Sequence, residues 1–278
     1  EREGGPIAKV TVGESWKERE ARLRARSPDG TLPTWRLMGV IVKSGDDLRQ
    51  EQFACQLIAQ FDSIFHEAKL SLWLRPFRIL STSNEGGLVE AIGDSVSLDA
   101  LRKKNPNITS LSQYFRIKFG GGDRKSKGFR RARRNFVESC AAYSVVCYLL
   151  QIKDRHNGNI LIDSEGHVIH IDFGFMLSNS PGSIAFEKAP FKLTRDFVEV
   201  MGGYRSASFA RFRKLCVRAF LAARKHHEQI TTLVELMLPG STMPCFRDGR
   251  ATLEALKERF CLELSKREIA RFVYSLID

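Results

Sequence analysis

The sequence has little of what secreted, metal-binding and membrane-spanning proteins require. Its six cysteines form no Cys-x-x-Cys pair and lie mostly within apolar helical patterns, which predicts reduced, buried thiols and a cytosolic compartment. His167 and His170, three apart on a predicted strand, point to opposite faces, which disfavours a zinc site. The longest apolar run, residues 140–152, is interrupted by polar residues and is shorter than the roughly 20 residues that cross a bilayer. No charged-then-apolar leader is present, so no secretion signal is predicted.

The sequence also lacks a G-x-G-x-x-G loop, although a phosphate-covering loop without this motif could lie at residues 4–10. What is present is a globular composition: 278 residues, of which 43% are hydrophobic and 27% charged. This balance excludes disordered and fibrous chains, and the length suffices for a sizeable core or two lobes.

Two short β-branched runs, residues 159–163 and 167–171, flank the polar turn Ser164-Glu165-Gly166 and predict a β-hairpin. Antiparallel pairing about this turn brings Asn159 and Asp172 together at the open end of the hairpin. An amide oxygen and a carboxylate that leave positions open for water and phosphate suit Mg²⁺, with Mn²⁺ as an alternative ion. The pair therefore predicts a metal that arrives with a nucleotide.

The residues just before the hairpin are suited to proton transfer. Asp154 and His156 lie where a carboxylate or an imidazole could accept a proton from an attacking hydroxyl, and the sequence does not decide between them. A catalytic-loop Asp followed by Asn159 and then Asp172-Phe173-Gly174 is the order found in phosphoryl-transfer sites. The alternative is a polar-ended hairpin without a catalytic role, which this spacing disfavours.

A second cluster lies nearer the start of the chain, where Lys43 ends a predicted strand and Glu51 begins a predicted helix. That helix has an apolar stripe at i, i+3, i+4 and i+7 spacing, formed by Ala54, Leu57, Ile58, Phe61, Ile64, Phe65 and Ala68. Glu51 precedes Ala54 by three residues and so faces inward. A strand-end lysine with an inward helical carboxylate is an arrangement that holds nucleotide phosphates, whereas either residue alone would be expected at the surface.

Other elements follow from periodicity and turn residues. The pattern predicts a polar helix at about Glu14 to Arg26, strands at Ile7 to Val12, Trp35 to Lys43 and Pro76 to Leu80, a capped turn at Ser44 to Asp47, a turn at Ser81 to Gly87, and a buried helix at Asn135 to Leu150.

Two motifs carry a family resemblance. Residues 42–51 read V-K-S-G-D-D-L-R-Q-E, and the catalytic loop reads Asp-Arg-His-Asn-Gly-Asn, the reverse of the His-Arg-Asp order of protein kinases. Both resemble the phosphatidylinositol 3/4-kinase superfamily. The similarity covers nearly the whole chain, and segments such as LPTWRLMGVIVKSGDDLRQE and FKLTRDFVEVMGG look most like the type III beta phosphatidylinositol 4-kinases.

This resemblance implies an α+β, bilobal kinase-like fold. The small, β-rich N-lobe would comprise residues 1–92, including the approach to the hinge, and the larger, mainly helical C-lobe residues 93–278. Within the C-lobe it implies a catalytic loop at 152–159, an Asp-Phe-Gly motif at 172–174 and an activation loop at 175–194.

The resemblance also implies a reaction, the transfer of the γ-phosphoryl group of ATP to the 4-hydroxyl of phosphatidylinositol. Lys43 would neutralise the nucleotide phosphates, and adenine would meet the backbone carbonyl of Glu90 and the amide of Ile92. In this superfamily, enzymes that act on phosphorylated head groups resemble one another in carrying runs of Lys or Arg in the activation loop. Here only Lys188 and Lys192 occur, which favours the unphosphorylated lipid.

The same resemblance implies a monomer at cytosolic membrane faces such as the Golgi, with small GTPases or Golgi adaptor proteins as partners. A phosphatidylinositol 3-kinase or a related protein kinase on the same fold remains the alternative. A non-catalytic binding module is disfavoured because none of the expected catalytic residues is missing.

Positive charge is concentrated in one segment. Between Arg102 and Arg134 there are twelve Lys or Arg residues against Asp123 alone, in a chain of net charge +12. Such a local field favours an anionic surface, either phospholipid or nucleic acid, and the alternative is a flexible solvated loop around Gly120 to Gly122. Few aromatic residues alternate with these cations, so no nucleic-acid partner is expected.

Overall fold

The computed structural model describes residues 14–181 and 189–278, which form two small sheets and a larger helical assembly. The helices are α1 (Trp16–Arg26), α2 (Arg49–Glu67), α3 (Leu98–Lys104), α4 (Leu111–Gly120), α5 (Lys127–Leu150), α6 (Arg195–Met201), α7 (Ala207–Lys225), α8 (His227–Met237), α9 (Arg250–Arg259) and α10 (Lys266–Ile277). The strands are β1 (Val40–Ser44), β2 (Ile79–Ser83), β3 (Gly86–Glu90), β4 (Ser95–Ser97), β5 (Ile160–Asp163) and β6 (Val168–His170). Short 3₁₀ turns occupy Asn157–Asn159 and Pro244–Phe246.

Each sheet has three antiparallel strands, in the orders β1-β3-β2 and β4-β5-β6. In the first sheet Lys43 lies opposite Gly87, and α2 packs against the same sheet. In the second sheet Ile160 pairs with His170, so the predicted hairpin is present in the predicted register. The mixture of helices and small sheets confirms the predicted α+β fold class.

Helix α5 is the central helix of the helical assembly, and its residues Phe136, Ala141 and Leu149 are fully buried. It packs against α4, α7 and strand β6. Two serines can be buried in this helix because Ser139 Oγ and Ser144 Oγ each donate to a carbonyl one turn earlier, at 2.8 Å. As its apolar sequence predicted, the helix is buried, and it ends at Leu150, directly before the predicted catalytic loop.

Two predicted strands have different bounds in the structure. Only residues 40–44 of the first pair with β3. Trp35 instead packs at the end of α1, where its indole N–H donates to Ser27 Oγ at 3.1 Å and the Arg24 guanidinium lies over its ring. The second strand begins at Ile79 instead of Pro76, which has no N–H to give to a ladder. It then continues to Ser83, through much of the predicted turn.

Two helix beginnings also differ from prediction. The N-cap of α2 is Leu48, without a side-chain cap, because Asp47 instead accepts from the backbone N–H and the guanidinium of Arg49. Helix α5 begins at Lys127, where Ser126 Oγ accepts from the Phe129 N–H at 3.1 Å. The basic segment is therefore largely helical, and residues 121–126 form the turn between α4 and α5.

Two further predictions, the strand and phosphate loop within residues 4–12 and the role of Lys188, lie outside the described residues. None of the helices in residues 14–181 and 189–278 could span a lipid bilayer.

The hairpin turn allows a stability prediction, because Gly166 has a φ of +90° and an added Cβ would lie 2.9 Å from the Cβ of Ala132. We expect Gly166→Ala to lower the free energy of unfolding by about 2–4 kcal/mol, through left-handed strain plus overpacking against α5. Gly203 is the matched control, since its φ is +91° and no described atom would lie within 4 Å of its Cβ. Gly203→Ala should cost only the backbone strain, about 1 kcal/mol. If urea unfolding showed that both variants lose the same free energy of unfolding, the packing argument would be contradicted.

Candidate active site

The open end of the hairpin brings together the two predicted metal ligands. The Ile171 N–H donates to the Asn159 carbonyl at 3.1 Å, which places Asp172 beside Asn159 as the hairpin register predicts. The Asn159 amide nitrogen donates to the Asp154 carbonyl at 3.0 Å, so its Oδ1 is the atom that could bind a metal. Asp172 has a φ of +60°, a strained conformation that aspartate tolerates and that recurs at functional sites.

This donor set fits a hard divalent cation. An amide oxygen and a carboxylate oxygen are ligands that Mg²⁺ accepts while it keeps waters and substrate phosphates in its other positions. Among residues 14–181 and 189–278 no group of three or more His, Cys, Asp or Glu side chains could hold a metal ion. A metal at Asn159 and Asp172 would therefore depend on additional oxygens from its nucleotide.

Lys43 and Glu51 form the second predicted cluster. Lys43 Nζ lies 3.5 Å from Glu51 Oε2, and Glu51 is 9% exposed. Burial raises the pKa of Glu51; the Lys43 ammonium opposes that rise, and the nearby Asp172 carboxylate adds to it. Gln50, the neighbour of Glu51 in the sequence, donates to the carbonyls of Phe173 at 3.0 Å and Gly174 at 2.7 Å, so the start of α2 that carries Glu51 lies beside the segment that carries Asp172.

The geometry of the predicted catalytic loop distinguishes Asp154 from His156. His156 Nδ1 accepts from the Gly158 N–H at 3.0 Å, so the neutral imidazole carries its proton on Nε2. That Nε2 lies 4.0 Å from Asp154 Oδ2. In this arrangement His156 presents a donor and Asp154 an acceptor, a distinction that the sequence left open. Asp154, like Asp172, has a φ of +60°.

A sequence profile of the phosphatidylinositol 3- and 4-kinase family matches residues 37–247. The chain belongs to this family. It is 54% identical over 266 residues to a phosphatidylinositol 4-kinase of Dictyostelium discoideum, covering 96% of this chain and 22% of that protein. It is 53% identical to phosphatidylinositol 4-kinase beta 2 of Arabidopsis thaliana, over 96% of this chain and 24% of the relative. It is 46% identical to phosphatidylinositol 4-kinase beta of Danio rerio, over 97% of this chain and 32% of the relative. The chain thus spans between a fifth and a third of the length of these relatives.

In this member of the phosphatidylinositol 3- and 4-kinase family, the predicted hinge residues lie where the first sheet ends. Strand β3 stops at Glu90 and β4 begins at Ser95, so the Glu90 carbonyl and the Ile92 amide lie in the connection between the sheets. The Glu90 side chain turns to Arg75 at 2.5 Å and to the Arg78 N–H at 2.9 Å.

A large cavity of about 1200 Å³ adjoins this connection but contains none of the expected catalytic groups. Trp16, Gln52, Cys55 and Glu90 are among the residues that line it, whereas Lys43 and the two candidate metal ligands do not. We therefore do not assign it to the reacting phosphates.

Lys192, in the predicted activation loop, is hydrogen-bonded within the protein. Its ammonium donates to the Arg155 carbonyl at 2.6 Å and to Asn157 Oδ1 at 3.1 Å. It therefore ties the end of the predicted activation loop to the predicted catalytic loop.

Two residues that sequence reasoning missed hold the site together. Arg155 is 3% exposed, donates to the carbonyls of Ile171 at 2.8 Å and of Asp172, and lies over the Phe173 ring. Gln50 is 5% exposed and donates to the carbonyls of Phe173 at 3.0 Å and Gly174 at 2.7 Å.

Gln50 also connects the site to a distant segment, since its Oε1 accepts from the Cys245 N–H at 2.8 Å. One signal could have identified Gln50. It precedes Ala54 by four and Leu57 by seven residues, which makes it a polar residue on an otherwise apolar helical stripe. Such a residue must find partners inside the fold.

We expect Gln50→Met to uncouple the Asp-Phe-Gly motif from α2. The change keeps the volume but removes the Gln50 partner of the Phe173 carbonyl and of the Cys245 N–H, while the Gly174 carbonyl still accepts from the Asn179 amide at 2.8 Å. The free energy of unfolding should therefore fall by about 2–4 kcal/mol. Displacement of Asp172 should reduce kcat by about 10- to 100-fold. Gln56→Met, at an exposed position of the same helix, is the control and should leave both quantities nearly unchanged. A wild-type kcat in Gln50→Met would contradict a positioning role.

Proposed function

We propose that this chain is the catalytic domain of an ATP-dependent phosphatidylinositol 4-kinase, which converts phosphatidylinositol to phosphatidylinositol 4-phosphate. The observation that carries the proposal is the convergence of the Lys43–Glu51 pair with Asp172 and Asn159 in one site. The lipid and the position of the phosphate are proposed from the names of relatives that are 46–54% identical over nearly the whole chain.

In this mechanism Asn159 Oδ1 and the Asp172 carboxylate would hold Mg²⁺ or Mn²⁺, which offsets charge on the phosphates when bound. Lys43 neutralises nucleotide phosphates, and the buried Glu51 carboxylate orients the Lys43 ammonium at 3.5 Å. The Glu90 carbonyl and the Ile92 amide bind adenine at the connection between an N-lobe of residues 1–92 and a C-lobe of residues 93–278.

Proton transfer falls to Asp154 in this proposal. The inositol hydroxyl donates its proton to the Asp154 carboxylate as it attacks phosphorus, and the bond from phosphorus to the leaving ADP oxygen breaks. His156, with its proton on Nε2, donates a hydrogen bond to the phosphoryl oxygens as negative charge develops there.

The residues of the predicted activation loop are consistent with a substrate whose inositol head group carries no additional phosphate. Lys192 is engaged by the Arg155 carbonyl and by Asn157, so it is not aimed at an additional substrate phosphate. We further propose that the protein acts as a monomer at cytosolic membrane faces, the Golgi among them, with small GTPases or Golgi adaptors as partners. These points rest on the family resemblance.

The test is incubation of the chain with Mg-ATP and phosphatidylinositol vesicles, followed by identification of the phosphorylated hydroxyl. Phosphate at position 4 is the expected product. Phosphate at position 3 would retain the site but overturn the assigned specificity. Phosphorylation of a peptide without any lipid product would place the chain with the protein kinases of the superfamily and overturn the proposal.

A further inference from the structure

The first half of α5 presents a continuous positive surface to solvent. Lys127, Arg130, Arg131 and Arg134 follow i, i+3, i+4, i+7 spacing and therefore share one face of the helix. All four are exposed, as are Arg124 and Lys125 in the preceding turn. We call these six residues the basic face. The opposite side of the same turns is buried through Phe129, Ala132 and Phe136.

The cations of the basic face destabilise the first turns of α5. Like charges three and four residues apart repel one another, and cations in the first turns oppose the helix dipole, which no acidic residue in the first turn offsets. Among the described residues, the only ion pair within 4 Å of the basic face joins Arg131 to Glu165, at 3.4 Å with both side chains exposed. Folding alone does not account for this charge, which suggests an anionic partner outside the chain.

The shape and composition of the surface favour a membrane over nucleic acid. The basic face lies on the outside of one helix and its preceding turn, and its residues line neither of the two cavities described in the structure. The nearby aromatic rings are turned inward, since Tyr114 and Phe129 are buried and Phe119 packs against Tyr114 and Phe115. No stacking platform for bases is therefore present in this part of the described chain. A broad, convex set of flexible cations suits a planar anionic surface.

We propose that the basic face docks the protein on anionic phospholipid bilayers. The choice of a bilayer rests on the proposed function, because a kinase whose substrate is a membrane lipid works at such a surface. The basic face is distinct from the reaction site, since Arg134, its last residue, lies 16 residues before the end of α5 at Leu150, about 24 Å along the helix axis. It therefore anchors the protein and does not hold the head group that is phosphorylated.

The experiment measures binding of the full chain to sedimented vesicles of phosphatidylcholine, with and without phosphatidylserine, at low and high salt. These vesicles contain no phosphatidylinositol, so binding is independent of catalysis. We expect the triple variant K127Q/R130Q/R134Q to bind phosphatidylserine vesicles at least about 10-fold more weakly at low salt, and the difference to shrink at high salt. Activity on soluble short-chain phosphatidylinositol should stay within about twofold of wild type, because the changed residues lie far from the site.

The matched control is K214Q/R218Q/K225Q, which removes three exposed cations from one helix, α7. It should reduce vesicle binding by no more than about twofold if the basic face is the docking surface. Equal losses in both triple variants, or no loss in the first, would overturn the proposal. So would loss of affinity for a DNA or RNA oligonucleotide without loss of vesicle binding. Intact vesicle docking in a protein without lipid kinase activity would instead refute the proposed function alone.

Discussion

Asp172→Asn is expected to reduce the rate of lipid phosphorylation by at least about a thousandfold while leaving the fold intact. Asp172 is the only carboxylate of the proposed metal-binding pair, and an amide in its place cannot balance the charge of a divalent cation. The fold should tolerate the change, because the residue lies at the mouth of the hairpin and asparagine also accepts a φ of +60°.

Loss of this charge should also affect Glu51. The Asp172 carboxylate contributes to the raised pKa of Glu51, so its removal should lower that pKa. The acid that pairs with Lys43 would then ionise more readily. The lost activity would therefore not come from protonation of Glu51.

The measurement is an initial rate at saturating Mg-ATP, together with a thermal unfolding curve. Asp29→Asn, at an exposed position of the turn after α1, is the control and should have wild-type activity. An Asp172→Asn enzyme within tenfold of wild type would remove Asp172 from the mechanism. A lowered unfolding temperature with proportionate loss of activity would indicate a structural role instead.

Asp154→Asn is expected to reduce kcat by about 10²- to 10⁴-fold, because the amide cannot accept the hydroxyl proton. His156→Asn should reduce kcat by only about tenfold. Asparagine can keep the acceptor that caps the Gly158 N–H, which His156 Nδ1 provides at 3.0 Å, while it removes the Nε2 donor.

The comparison between these two variants shows whether Asp154 or His156 accepts the hydroxyl proton. Both change a single side chain of the same loop, so a general disturbance of the loop would affect them equally. Single-turnover rates with prebound ATP separate chemistry from nucleotide binding. If His156→Asn is the more damaging change, His156 is the base and the tautomer assigned from its Gly158 contact does not describe the reacting state.

Local patterns in the sequence were sufficient to predict much of the site. The hairpin, the meeting of Asn159 with Asp172 and the inward position of Glu51 all depend on residues close together in the chain. Strand alternation, turn chemistry and helical spacing therefore predict them directly. The family resemblance rests on the same stretches, and the sequence profile confirmed it.

Strand limits were predicted less well. A β-strand exists only where a partner strand offers hydrogen bonds, and the partner of β1 is residues 86–90, more than forty positions away. Trp35 therefore lies outside β1 and contacts Ser27 at the end of α1, although tryptophan is common in strands.

By itself, the sequence determined the fold class, the family, and the two local clusters to which we assign phosphate binding, metal binding and proton transfer. Only the tertiary structure decided how these clusters are held. Gln50 joins residues 173–174 to Cys245, and Lys192 ties its own segment to Arg155 and Asn157. The tertiary structure also turned a basic stretch into one face of a helix. The physical reason is distance along the chain. Burial and long-range hydrogen bonds give a polar residue its role, and no local pattern encodes which remote backbone group will become its partner.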